Sequence, residues 1–282
     1  MLQDKNICFL GAGSMAQALI SGLISKELIN PRQICALNRG SREKLEQLSA
    51  KYGIAVVERE EAVSRADIIV LAVKPKDIET AIEEIKQWTR PDQLFISVLA
   101  GISTDAISRS LGHHAPVIRS MPNTSAAIGL SATGISPGKY ASRDDLEHAL
   151  AMFEAVGIAE IVTENEMHAV TGLSGSGPAY VYYLVEAMEA AGDKIGLPPE
   201  TARRLILQTI IGAAHMLQET NEEPAVLRKQ VTSPNGTTAA GIEILERYRF
   251  QEAMDACIRR AVERSEEMGA DTAHSSAHAS SR

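Results

Sequence analysis

The stretch Val231–Glu246, VTSPNGTTAAGIEILE, sets hydroxyls at Ser233, Thr237 and Thr238 around Pro234, Asn235 and Gly236, just ahead of a helical pattern. It has no acid–base pair, no metal ligands and no basic patch. Amides at a helix start, beside a glycine-containing nest, make an anion site without any arginine. Gly236 lets the backbone come close to a ligand. The alternative reading is that Ser233, Thr237 and Thr238 only cap the helix.

A second group of residues lies near the N-terminus. GAGSMA supplies Gly11, Gly13 and Ala16, the GxGxxA form of a dinucleotide fingerprint. The first glycine permits the tight turn, the second lets the backbone approach a pyrophosphate, and the small third residue lets helix and strand pack closely. The helix that opens over Ser14, Met15 and Ala16 then offers free N–H groups to phosphates. The pattern follows a strand and opens a helix, which is the context that gives it weight.

At the end of the next strand an NAD enzyme usually carries an acid for the ribose 2′-hydroxyl. Here NRGS stands instead, with Asn38, Arg39 and Ser41. Arg39 suits a 2′-phosphate as a fork, and Ser41 can add a hydrogen bond. NADPH is therefore the expected cofactor, with NADH as the alternative. AVKP (Ala72, Val73, Lys74, Pro75) is read as closing a fourth strand on the carboxyl edge, where ligands of open α/β sheets bind. Ala100, past the strand LFISVL, and Asn123, in MPNT and read as following a sixth strand, are expected on the cofactor side too.

These residues need a frame. The chain has 282 residues, 45% of them hydrophobic, enough to bury the core of one large domain or two ordinary ones. Apolar runs NICFLG, ICALN, ADIIVLAV, LFISVL and PVIRSM alternate with helical patterns such as SMAQALISGLISK and DIETAIEEIKQW. That alternation implies a doubly wound, mostly parallel sheet covered on both faces, a Rossmann-type α/β domain. From Glu164 onward nearly everything is helical in period. The expected division is 1–162 for the nucleotide domain, 163–268 for an all-helical domain, and 269–282 for a small, polar, flexible tail. ARRLILQTIIGAAHML (Ala202–Leu217) is apolar over more than one face, so it should pack on several neighbours or on a second subunit.

Composition excludes several classes. The net charge of −8 and the absence of basic clusters argue against nucleic acid, and 4% aromatics offer no stacking platform. No apolar stretch is long enough to span a membrane. Three scattered cysteines, Cys8, Cys35 and Cys257, form no metal motif; each is read as a small buried hydrophobe in a reducing cytoplasm. His168 and His215 are read as packing or surface groups, and no metal is expected.

Taken with RSMPNT and GLSGSGPAY, these motifs make the chain resemble the pyrroline-5-carboxylate reductase family from Asn6 to about Met268. The specific stretches are GLSGSGPAY and the Ser-Pro-Asn-Gly-Thr-Thr signature. The resemblance implies reduction of the C=N bond of 1-pyrroline-5-carboxylate to L-proline by NAD(P)H. It also implies an all-α domain interleaved in a homodimer, with further assembly such as a decamer, and an active site between one subunit's nucleotide domain and the shared bundle. Ser176, Ser233, Asn235, Gly236 and Thr237 would then bind substrate, and Thr238 would reach the ring nitrogen as the catalytic hydrogen-bond partner. GLSGSGPAY, with Pro178 in a first turn, reads as a helix N-terminus open to a ligand.

Two departures from the family pattern stand out. Thr124-Ser125 replaces Thr-Pro, which should loosen a turn, and Arg59 stands where an Asn commonly touches the adenosine. Two rivals stay open. One is a β-hydroxyacid dehydrogenase, disfavoured because GLSGSGPAY lacks a lysine; the other is a non-catalytic NADP-binding regulator.

Overall fold

A computed structural model describes residues 2–40 and 42–279, apart from the side chains of 271–279. Ser41, expected at the cofactor, lies outside the described residues, as does the end of the expected tail. The chain forms two compact units, one of Met1–Pro178 with the stretch from Arg260 onward, the other Ala179–Arg259.

The first unit is built on β1 (Ile7–Leu10), β2 (Ile34–Leu37), β3 (Ile68–Leu71), β4 (Leu94–Ser97), β5 (Val117–Met121), β6 (Ser131–Pro137) and β7 (Gly157–Ile161). Among the described residues they make one sheet of order β2-β1-β3-β4-β5-β6-β7. All neighbouring pairs are parallel except β5 with β6. AVKP thus closes the third strand, and MPNT follows the fifth. Strands β6 and β7 escape the apolar-run criterion for physical reasons. In β6 the buried positions include Ser131, Thr133 and Ser136, and β7 leaves Ile158 and Ile161 exposed at the sheet edge.

Alternate residues of the strands feed opposite faces, as the pleat requires. Ile7 and Phe9 join one core with Leu19, Ile20, Leu23 and Phe153 of α1 (Ser14–Ser25) and α6 (Arg143–Glu154). Cys8 and Leu10 join the other, which also receives α3 (Arg59–Arg65), α4 (Ile78–Glu83) and α5 (Thr104–Leu111). The surface helix α2 (Arg42–Tyr52) contributes only Leu48 as a fully buried residue. Cys8 behaves as the expected buried hydrophobe, Cys35 is partly buried, and Cys257 is exposed, contrary to the sequence reading.

The division between the units falls later than the change of pattern near residue 162. The short helix α7 (Met167–Val170) and the π-helical turn Thr171–Gly175 pack on the sheet: Met167 is buried, and Val170 fills the space beside Gly134. Glu164 pins their start. It receives Arg119 Nη1 at 2.9 Å and the Thr104 hydroxyl at 2.9 Å. The Arg119 side chain is 3% exposed and that of Glu164 32%. Glu164→Gln would leave a buried guanidinium without its charge partner, and is expected to cost about 1–2 kcal/mol. A thermal midpoint equal to wild type at neutral pH would show the pair to be without net value.

The second unit holds most of α8 (Gly177–Lys194), then α9 (Pro199–Thr220), α10 (Pro224–Gln230), α11 (Thr237–Arg247) and the start of α12 (Phe250–Ala279). Within α8 and α9 only Gly192, Ala202 and Ile206 are buried. Tyr182, Tyr183, Leu205, Ile211 and Met216 remain exposed. Helix α12 continues through Gly269 to Ala279, where the sequence reading places a flexible tail; its alanines at 270, 273, 277 and 279 favour helix. In the first unit its later part meets the sheet domain, where the Ser265 hydroxyl bonds His168 Nδ1 at 2.9 Å, so His168 does pack. Among the described residues no helix is long and apolar enough to cross a membrane.

Candidate functional site

The ends of β1, β2 and β3 are knitted together where the strand order reverses. Gly11 N–H donates to the Leu37 carbonyl at 3.0 Å, and Ala72 N–H donates to the Leu10 carbonyl at 2.9 Å. Gly11 has φ +118°, and a Cβ there would run into the Ala72 carbonyl. Only glycine suits that turn. At Gly13 a Cβ would meet nothing within 4 Å, because its open side faces a cleft. Gly13 also caps α1 without any side-chain hydrogen bond, so the first-turn amides are left for a ligand. Ala16 is fully buried and serves the close packing of helix on strand.

The cleft has a volume of about 360 Å³ and is lined by Gly11, Gly13, Asn38, Arg39, Ala72, Val73 and Lys74 among the residues the sequence singles out. Ser14, Met15, Pro75, Ala100 and Asn123 do not line it. Cations dominate the wall: Arg39, Lys44, Arg59, Lys74 and Lys76, against Asp77 and Glu84. Backbone-lined space, free helix amides and a cationic rim fit a dinucleotide with phosphates. A second cleft of about 330 Å³ shares Leu37, Asn38, Arg39 and Arg59 with the first.

Glu84 is the residue that sequence reading missed. It accepts Arg39 Nη2 at 2.7 Å on Oε1 and Arg59 Nη1 at 2.6 Å on Oε2. Burial pushes the Glu84 carboxyl up, but the hydrogen bond from Arg39 and the charges of Arg59 and Arg39 outweigh it and hold the pKa below the usual range. A signal was present: Asp77, Ala81 and Glu84 stand at i, i+4 and i+7, one face of a helix, and all three line the cleft.

Asn123 has a framework role in the geometry seen. Its Nδ2 donates to the Ser174 carbonyl at 3.2 Å, and its Oδ1 accepts Ser125 N–H at 3.0 Å. Ser125 therefore does not loosen the turn as expected. A proline would have no N–H for that bond, so serine replaces ring stiffness by a side-chain-closed turn. The segment GLSGSGPAY also differs from the open helix start expected. Ser176 N–H is spent on the Thr171 carbonyl at 2.9 Å, closing the π-helical turn, and Gly175 lies so near Met121 that a Cβ would approach its methyl to 2.9 Å. Ser176 sits at the end of that turn, a wide helical irregularity of the kind that collects at functional sites.

In the second unit, the signature turn keeps its hydroxyls free of capping duty. Helix α11 is capped by Gly236 with no side-chain hydrogen bond. Asn235 holds the left-handed conformation at φ 59°, and Gly236 N–H closes the turn on the Ser233 carbonyl at 3.0 Å. A Cβ at Gly236 would strike the Ser233 hydroxyl. Ser233, Asn235, Thr237 and Thr238 are all exposed. The left-handed Asn235 and the following extended Gly236 lead the chain into a helix start whose first-turn amides are open, a place that suits an anion.

Comparison with known proteins agrees with this geometry. Residues 164–268 match the model of pyrroline-5-carboxylate reductase dimerisation, and residues 6–101 match that of NADP oxidoreductase, coenzyme F420-dependent. Pyrroline-5-carboxylate reductase 1 of Bacillus subtilis is 44% identical over 272 residues, 96% of this chain and 92% of that protein. The Pseudomonas aeruginosa reductase is 40% identical over 95% of this chain and all of its own length. Among solved structures, the Coxiella burnetii pyrroline-5-carboxylate reductase superposes with a TM-score of 0.86 at 36% identity, covering 94% of this chain and 98% of that one. The Plasmodium falciparum enzyme, solved with NADP bound, gives 0.84 at 28% identity over 95% and 99%. With such identity spread over nearly the full length of each relative, the chain belongs to the pyrroline-5-carboxylate reductase family.

Proposed function

We propose that this chain reduces 1-pyrroline-5-carboxylate to L-proline, the last step of proline biosynthesis, with NADPH held at the β1–β3 edge and the imine acid held by the Ser233–Thr238 turn. The observation that carries the substrate assignment is the α11 start, a helix N-terminus with a left-handed Asn235 and no side-chain cap. Its amides, with Ser233 and Thr237, take the carboxylate. Ser176 contributes a further hydroxyl. Residues 163–268 act as the dimerisation and substrate region and 1–162 as the nucleotide domain, with 163–178 and the stretch from Arg260 packed in the same compact unit as the sheet.

When bound, the nicotinamide supplies the hydride. The protein's part is to hold the ring so that its imine carbon lies within about 3–3.5 Å of the donor. A protonated imine accepts hydride far better than a neutral one. As the carbon is reduced, the ring nitrogen gains a lone pair, and the Thr238 hydroxyl donates a hydrogen bond to it. Gly11, Gly13 and the amides over Ser14, Met15 and Ala16 carry the pyrophosphate. Asn38 and Arg39 face the ribose end, where Ser41 is assigned as a further hydrogen-bond donor; Ala72, Val73 and Lys74 form the wall with Pro75 directly after them, and Ala100 and Asn123 are assigned to the nicotinamide side, outside this cleft.

The exposed apolar side chains of α8, α9 and α11 are the surface that a second copy covers, giving a homodimer that can assemble further. The assignment places the enzyme in the cytoplasm, with no nucleic-acid partner. Following NADPH absorbance as 1-pyrroline-5-carboxylate is added tests the activity directly. Oxidation with formation of proline supports it; binding without oxidation would point to a regulator. Within that assay Arg39→Gln is expected to raise the KM for NADPH by about ten- to a hundredfold, the worth of roughly 1.5–3 kcal/mol for a charge-assisted bond. The KM for NADH should hardly move. An equal rise for both cofactors would remove Arg39 from the 2′-phosphate.

A further inference from the structure

The end of β2 lacks the acid that reads a ribose hydroxyl, yet an acid stands in the cleft. Glu84, from the end of α4, places one oxygen on Arg39 and the other on Arg59. The three side chains are between a third and a half exposed, so the cluster faces solvent and ligand rather than the core. We propose that Glu84 is a specificity-determining residue for the cofactor: it acts as an internal counter-anion for Arg39 and Arg59, lowering the preference for a 2′-phosphate and keeping NADH acceptable. This rests on the reading of Arg39 as the 2′-phosphate contact.

The charge count sets the sign. Two guanidiniums and one carboxylate sum to +1, whereas a 2′-phosphate monoester brings up to −2. To bind it, the phosphate must displace the carboxylate from its two partners or sit beside it. Either way Glu84 opposes the phosphate, by competing for the same N–H donors or by like-charge repulsion. With NADH no phosphate arrives. The arginines then keep their partner, no cation is left uncompensated, and a Glu84 oxygen can accept the ribose 2′-hydroxyl in the role usually filled from the end of β2. Against the upward push of burial, the hydrogen bond from Arg39 and the charges of both arginines hold the Glu84 pKa below the usual carboxylate range, so the carboxylate is charged at neutral pH and the opposition is present there. Asp77 adds negative charge to the same wall, and Lys44 and Lys76 add positive charge, but neither acid nor amine replaces the bridge between the two arginines.

Two further clusters carry less. The Arg119–Glu164–Thr104 group is fully accounted for as a fastening. The exposed face of the second unit belongs to the dimer already assigned.

The test is calorimetric titration of NADP⁺ and NAD⁺ into wild type, Glu84→Gln and Arg39→Gln, with thermal midpoints to confirm folding. Partly exposed ion pairs are worth modest amounts, so releasing two should tighten NADP⁺ by about three- to tenfold. NAD⁺ should bind equally or more weakly in Glu84→Gln, so the NADP⁺/NAD⁺ ratio rises. The steady-state KM for NADPH should fall in step, with kcat little changed. A Glu84→Gln ratio that stays level or falls would overturn the proposal, because Glu84 would then only hold the arginines in place. Failure of the underlying reading looks different: Arg39→Gln would leave the wild-type ratio as it was.

Discussion

Gly11→Ala is expected to lose NADPH binding and to lower the thermal midpoint sharply, and Gly13→Ala to lose binding alone. The two glycines stand two residues apart in one motif, yet their surroundings differ. At Gly11 the backbone has φ +118°, which side-chain-bearing residues avoid, and the new methyl would collide with the Ala72 carbonyl. That carbonyl belongs to backbone and cannot rotate aside; Ala72 is itself tied to Leu10 by a 2.9 Å bond. Relief requires β1 and β3 to part at the carboxyl edge, in the middle of the sheet. Backbone strain of about 1–3 kcal/mol plus the clash puts the total near 3–5 kcal/mol. For a chain of this size that is roughly 10 °C in midpoint.

At Gly13 the backbone is extended at φ −77°, open to any residue, and a methyl meets nothing within 4 Å. The fold should tolerate it, but the methyl points into the space a pyrophosphate needs. Differential scanning calorimetry and NADPH titration on both variants check the contrast. A Gly11→Ala protein with wild-type midpoint and affinity would show that the close approach of Gly11 to Ala72 does not govern the site.

The difference between those two glycines also marks what was legible in the sequence. GAGSMA could be read as a dinucleotide turn because its spacing, a strand before and a helix after, is local information. The first five strands were equally plain, since buried parallel strands are continuous apolar runs. Strand β6 was not, because Ser131, Thr133 and Ser136 are buried without being apolar. Glu84 was hidden for another reason. Its partners lie 45 and 25 positions away, and sequence distance says nothing about which cations an acid will meet. Ser125 misled because its stiffness was judged against proline, while the local turn closed by its N–H on the Asn123 side chain two residues before was not weighed. The signature turn was read correctly as a helix start, but whether its hydroxyls were spent on a cap required the geometry of Gly236.

Thr238→Ala is expected to lower kcat by about a hundredfold, the usual worth of a positioned donor or proton-transfer partner. NADPH affinity should stay within about twofold. The substitution should not harm the fold: Thr238 is exposed, α11 is capped without its hydroxyl, and alanine is the better helix former. A fall in turnover would therefore report on the reaction. On the proposed assignment the hydroxyl faces the ring nitrogen, which changes most in charge as the imine carbon takes the hydride, and a donor there is worth more in the transition state than in the ground state. The KM for the imine acid should move less than kcat, since the proposed carboxylate site is built from backbone amides that the substitution leaves in place. Thr238→Ser, which keeps the hydroxyl, should recover most of the rate. Loss of NADPH binding equal to the loss of turnover, or no recovery with serine, would take Thr238 out of the chemistry and leave it as a residue that shapes the turn.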